Sequence, residues 1–382
     1  MVSKEAAAAL LPSARGLALS VGEEDGPAGA RALAALSSLV AHLDRLTREG
    51  EESAALGTSK LTRLVTCADG ITVDLGELLE RVARERVRMM DLLGDACAQL
   101  AVGTPSGPVV RELLADHGSF EESLLLATKI VEDAGEFAAE RDLVPFTEGE
   151  CLVAATPPAR RWAVARISWV APREPLAPAY FHMTPPDSAW SADRKSSWLA
   201  RFSSVTLPVM TVHEAVPGHA SHAIAMRHVS STPRQVLWSE LFFEGWAHYV
   251  EEMCFEQGFR SETPQFQAGV AIEALVRLAR VECAVGLHTG AMTVSDAVSV
   301  FTERAFLEGA AARAEALRGL FEPTYIRYAL GKFLMQDLRS MARQHWGADF
   351  SLPRFHKELL ELGSPPFGAV GPALGLVPRQ PR

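Results

Sequence analysis

The sequence predicts a mainly α-helical fold with one small β or extended element near residues 150–185. Three observations carry that expectation. Apolar residues recur at three- and four-residue steps through the first 140 positions. The stretch 142–190 interrupts them with prolines and a period of two. From about residue 205 helical start and stop signals return and run on toward the C-terminus.

The opening MVSKEAAAALLPSARG has an apolar run too short and too weak for a signal peptide, so residues 1–20 are expected to form a flexible leader, disordered or helical. An N-terminal helical region, 21–141, follows. Leu33, Leu36, Val40, Leu43 and Leu46 mark one helix that stops at Gly50. Leu75, Leu78, Leu79, Val82 and Met89 mark a second, broken by GTPSGP at 103–108, and a third covers 119–140. The remainder, 142–382, is expected to be one compact helical core. In RRWAVARISWV, Ala163, Ala165, Ile167 and Trp169 alternate with Trp162, Val164, Arg166 and Ser168, which is strand periodicity. Pro157, Pro158, Pro172, Pro175, Pro178, Pro185 and Pro186 confine the region to short, edge-like strands. Thr232 to Gln235 reads as a capping box with Pro233 at the first helical position, predicting one long helix over 233–257. Thr263-Pro264 opens a helix running to Gly290, and Thr293 with Asp296 opens the next. Further helices are expected over 308–320, 325–345 and 351–362.

Composition narrows the function classes. Of 382 residues, 47 are acidic and 37 are Lys or Arg, a net charge of −10, which argues against a nucleic-acid footprint and against an anionic lipid surface. No apolar run reaches the ~18 residues a membrane span needs. Cys67, Cys97, Cys151, Cys254 and Cys283 are odd in number, scattered and free of CxxC pairing, so they read as reduced thiols of a cytoplasmic protein.

The chemistry concentrates in His213-Glu214-Ala215-Val216-Pro217-Gly218-His219. A His-Glu pair followed by a second His is the pattern of zinc hydrolases: two imidazoles hold the ion and the carboxylate takes a proton from attacking water. Six steps along a regular helix would turn His219 about 240° away from His213. Pro217 and Gly218 permit a bulge that returns it. The competing reading is a helix that ends at Val216, leaving His219 and His222 as surface residues at the start of the next. Glu244 stands among apolar residues, between Phe243 and Trp246, where a carboxylate needs a positive partner. Glu240, Glu244, His248 and Glu251 share one helical face, which either meets a metal or pairs with arginines such as Arg277 or Arg280. His213, His219 and Glu244 would make a His₂Glu site with an open position, with Zn²⁺ the default and Mn²⁺ or Fe²⁺ accommodated by the same ligands.

At this point the chain resembles the domain-of-unknown-function 885 family. The resemblance rests on His213-Glu214-x-x-Pro217-Gly218-His219, Glu244-Gly245-Trp246-Ala247-x-Tyr249-x-Glu251 and Gly286-Leu287-His288. It rests also on Tyr328-x-x-Gly331-Lys332 with Leu338-Arg339, on Phe355-His356-x-x-Leu359-Leu360-x-x-Gly363, and on the segment at Thr156-Pro157-Pro158, together covering about 145–382. It implies a multi-helix, zincin-like metallohydrolase body in which His213, His219 and Glu244 ligate zinc and Glu214 is the general base. The chain departs from the family at Ala220, where a histidine is usual, at His222 for a glutamine, at Ala284 for an aspartate, and in being shorter.

Tyr328 is a candidate to steady the oxyanion, and Tyr325 a weaker one for the pocket. His288 could donate a proton or act as a helix cap. Arg339 could clamp a substrate carboxylate or form a plain salt bridge. His182 and His222 could line the pocket. The expected activity is hydrolysis of a peptide or amide bond in a small peptide or amide-containing small molecule. The alternatives are a tailoring enzyme acting on one small metabolite, and a non-catalytic binding protein on the same scaffold.

Overall fold

The computed structural model describes residues 2–21, 26–146, 148–161, 163–169 and 171–376. Helices α1 (Lys4–Ser20) and α2 (Gly26–Glu49) pack together around a small core of Ala7, Leu11, Ala14 and Leu43. Of the two forms expected for residues 1–20, the helical one is seen, packed rather than free. Ser3 caps α1 by accepting from the Ala6 amide, and α1 packs on α2 and on the turn Pro158–Arg160.

Next come α3 (Thr58–Thr66), α4 (Leu75–Leu100), α5 (Ser106–Ala115) and α6 (Phe120–Glu140). The expected stripe on α4 faces inward, with Leu75, Leu78, Val82 and Met89 buried. Ser119 and Glu122 form a reciprocal capping box that starts α6. Strands β1 (Cys151–Ala155), β2 (Ala165–Ser168) and β3 (Ala179–Met183) make a sheet of order β1-β3-β2. β1 runs parallel to β3 with Cys151 opposite Ala179; β2 runs antiparallel with Arg166 opposite His182, and is an edge. Trp162 of the predicted alternation lies outside the described residues.

The second half adds α7 (Ala192–Leu199), α8 (Thr206–Glu214), α9 (His219–His228), α10 (Thr232–Val236) and α11 (Glu240–Glu256). It continues with α12 (Gln265–Thr289), α13 (Val294–Ala305), α14 (Gly309–Phe321), α15 (Arg327–Trp346), α16 (Leu352–Leu360) and the short α17 (Val370–Ala373). α12 is buried along nearly its whole length and packs on α4, α8 and α13, so it is the axis of the body. The predicted single helix over 233–257 is two helices. Trp238 bridges to Ser364, and Ser239 starts α11 by accepting from the Phe242 amide. Thr232 is not the cap of α10, which begins after Ser231 without a side-chain cap.

α11 and α15 cross where Gly245 meets Gly331. A Cβ on Gly245 would lie 2.6 Å from the Gly331 Cα, and one on Gly331 would lie 2.4 Å from the Leu241 carbonyl oxygen. The two backbones touch, which sets the depth at which Glu244 and Tyr328 sit.

Candidate metal centre

The helix does not bulge at the histidine motif; it breaks. α8 ends at Glu214, Ala215 leaves helical geometry, the Val216–Pro217 peptide is cis, and α9 starts at His219. Gly218 is required by contact, because a Cβ there would fall 2.0 Å from the His213 carbonyl oxygen and 2.3 Å from that of Val212. Trp246 of α11 donates from Nε1 to the Pro217 carbonyl at 3.0 Å, so it pins the break as well as filling the core. The competing expectation of a helix end is thus correct locally, yet His219 still returns to His213. Their rings lie 4.7 Å apart, and His219 stacks on Phe243 at 3.9 Å.

Ligand atoms of His213, His219 and Glu244 lie within 4.8 Å of one another. Glu244 Oε2 is 3.2 Å from His219 Nε2 and 3.5 Å from His213 Nε2, but is buried without an aligned hydrogen bond. His213 Nδ1 lies 2.7 Å from Glu251 Oε1. A carboxylate can only accept, so Nδ1 carries the proton and Nε2 presents its lone pair toward Glu244. A lone pair aimed at a carboxylate calls for a cation between them. Without a metal that cation is a proton: burial opposes it, but Glu244 and Glu251 together raise the His213 pKa to about 9. His219 is pushed the other way, to about 4, by burial. Burial opposes ionisation of Glu244, yet the two histidines hold its carboxyl well below the usual range. Two imidazole nitrogens and one carboxylate oxygen suit zinc in number and kind.

Glu251 joins the site from the same face of α11, and its contact with His213 was not among the sequence expectations. Besides His213 it receives His248 Nδ1 and Arg277 Nη2, each at 3.1 Å. Arg277 therefore takes part of the acidic stripe as expected, whereas Arg280 pairs instead with Glu315 through two bonds of 2.8 Å. Glu214 is buried beside the three ligands with Oε2 unpartnered; burial, reinforced by Glu244, raises its pKa to about 7.

These groups form one side of a cleft of about 450 Å³. The β2 edge, Trp169, Trp238 and Phe243 line another part, with the Trp169 and Trp238 rings stacked at 5.2 Å. Tyr328 is in the cleft, its ring 6.3 Å from that of His213, and its oxygen accepts from Arg318 at 3.1 Å. A second cavity of about 330 Å³ behind the break, walled by Val216, Ala220 and Ile224, gathers no comparable set of groups.

Five sequence candidates do not reach the cleft. Tyr325 precedes α15 in the turn Pro323–Ile326 and is buried against Gly319. His288 is buried with Nε2 2.7 Å from the Gly319 carbonyl. Arg339 pairs with Glu256 at 2.6 Å, the plain salt bridge. His222 is buried with Nε2 2.9 Å from the Gly363 carbonyl, and burial lowers its pKa to about 3. His182 lies on β3 stacked on Tyr180, a strand away from the cleft edge. For the three histidines and Arg339 a backbone carbonyl, a charge partner or a neighbouring ring occupies a side chain that the sequence leaves open, whereas Tyr325 is taken up by packing.

The sequence profile of the family described as "Bacterial protein of unknown function (DUF885)" matches residues 10–371. No curated protein matches the chain. Solved structures share its fold, two of them as follows. One is a "putative lipoprotein" of unknown function from Shewanella oneidensis, 22% identical, with TM-score 0.75 over 91% of this chain. The other is a "putative lipoprotein" from Colwellia psychrerythraea, 19% identical, with TM-score 0.78 over 90%. The match covers 65% and 60% of those two chains. Among the described residues no helix is long and apolar enough to cross a membrane.

Proposed function

We infer that this chain, which belongs to the DUF885 family of bacterial proteins, is a zinc-dependent hydrolase that cleaves an amide or peptide bond. The carrying observation is the convergence of His213, His219 and Glu244 beside a buried, unpartnered Glu214 in one cleft. His213, His219 and Glu244 would hold the ion. An ion so held supplies Lewis acidity, polarising a carbonyl and making water nucleophilic near neutral pH.

The chain's own residues account for the rest. Glu214, made more basic by burial, accepts the proton that the attacking water gives up and returns it to the leaving amine. Tyr328 accepts from Arg318, so its own O–H is left to donate to the oxyanion that develops on the carbonyl. Glu251 holds the His213 ring in the tautomer that directs Nε2 inward. A cleft of about 450 Å³ suits a small amide or a short peptide.

Glu214→Gln tests the assignment. It should retain the metal and lose about 10²–10⁴ of the turnover on a panel of amides and short peptides, while His213→Ala should lose the metal. An undiminished rate in Glu214→Gln would sink the reading.

A further inference from the structure

Six arginines line the cleft of a chain whose net charge is −10: Arg166, Arg201, Arg277, Arg280, Arg318 and Arg327. Most are committed to carboxylates. Arg280 holds Glu315, Arg318 holds Glu322, Arg327 holds Glu240 and Glu322, and Arg277 holds Glu251 and Glu273. Two are different. Arg166, on the β2 edge, has a side chain with no ion pair or hydrogen bond among the described residues. Arg201, in the turn Ala200–Phe202 that leads into α8, is only 7% exposed. Its Nη2 lies 2.8 Å from Glu273 Oε1, and its Nη1 has no hydrogen-bond partner among the described residues. The Nη2 contact is an ion pair without an aligned hydrogen bond, since Glu273 Oε1 is itself unpartnered, and the other Glu273 oxygen is taken by Arg277.

A guanidinium buried with a spare donor is costly unless something else occupies it. Arg201 shares the cleft with the proposed metal ligands and with Glu214, so a bound molecule can reach both. Its planar guanidinium, held beside Glu273 by charge, leaves Nη1 to pair with a carboxylate. We propose that the amide cleaved in this cleft carries a free carboxylate, and that Arg201 is the residue that binds it. The proposal rests on the hydrolase reading for the identity of the scissile bond, but not for the carboxylate contact. Arg166 contributes positive potential at the edge strand and leaves the fork geometry to Arg201.

The test is a calorimetric titration with N-benzoylglycine, N-benzoyl-β-alanine and N-benzoyl-4-aminobutyrate, each against its primary amide. It is run on Glu214→Gln protein, with its metal and again after chelation. The three lengths cover the separation between bond and carboxylate. At least one acid should bind about tenfold or more tightly than its amide, with and without metal. Adding Arg201→Gln should erase that preference, Arg201→Lys should restore part of it, and Arg166→Gln should weaken acid binding while leaving a clear preference. Equal or absent binding of acid and amide at every length overturns the proposal. So does a preference that survives Arg201→Gln, or one lost equally in Arg166→Gln, which would make it a general field effect. Arg201→Lys keeps a cation beside Glu273, so it reports on the fork even if Arg201→Gln fails to fold. Failure of the hydrolase reading shows separately, as metal removal that changes nothing.

Discussion

Gly245→Ala is a one-carbon change whose effect can be worked from the helix crossing. The new Cβ would sit 2.6 Å from the Gly331 Cα and 2.7 Å from its carbonyl carbon. Carbon atoms rest at about 3.5–4 Å, so α11 and α15 must separate by roughly 1 Å. Overpacking of this kind costs about 1–3 kcal/mol, and alanine's better helix propensity returns about 0.5–1 kcal/mol of it. The net expectation is a loss of about 1–2 kcal/mol in stability, read as a lower urea midpoint. The sharper readout is the metal. Glu244 precedes the contact on α11, and Tyr328 lies one turn before it on α15, so a shift of roughly 1 Å moves both within the cleft. Zinc affinity, measured by competition with a chromophoric chelator, should fall by about tenfold or more. A variant with wild-type midpoint and wild-type affinity would refute the claim that this contact sets the depth of the site.

Two further outcomes follow from the same geometry. Glu251→Gln removes the acceptor charge behind His213 while keeping its shape, and zinc affinity measured with the same chelator should drop about 10–100-fold; an unchanged affinity would remove Glu251 from the site. His356 is buried, accepts from Tyr249 at 3.0 Å and donates from Nδ1 to the Leu143 carbonyl at 2.8 Å. Burial lowers its pKa to about 3, so the unfolded chain binds the proton first as pH falls from about 6.5. Its share of stability is complete above that pH and is lost downward, about 2 kcal/mol of it by pH 5. Urea midpoints at pH 7 and pH 5 should therefore differ less in His356→Gln than in the wild type, and an identical slope would discount this histidine.

What the sequence disclosed was what neighbouring residues decide among themselves. The capping box at Thr293 formed as read, because it is closed within four residues. The motif His213-Glu214 to His219 was legible for the same reason. Glu244 was legible because an apolar helix leaves a carboxylate conspicuous. The errors have the opposite character. Nothing at Leu237 or Trp238 signals a break, since it is imposed by pairing with Ser364 and by Ser239 donating to Asp69. α5 lies partly within a stretch that reads as a turn and is held by the burial of Val109 and Val110. The roles of Glu251 and Arg201 depend on partners 38 and 72 positions away, and no local pattern could have announced them.

The measurement that bears most directly on the central claim is the metal content of the purified protein, by elemental analysis, beside that of Glu244→Ala. The wild type should hold one equivalent of zinc, or of manganese or iron in its place, and Glu244→Ala should lose it while remaining folded. A folded wild-type protein that takes up no stoichiometric transition metal under metal-replete conditions would contradict the account.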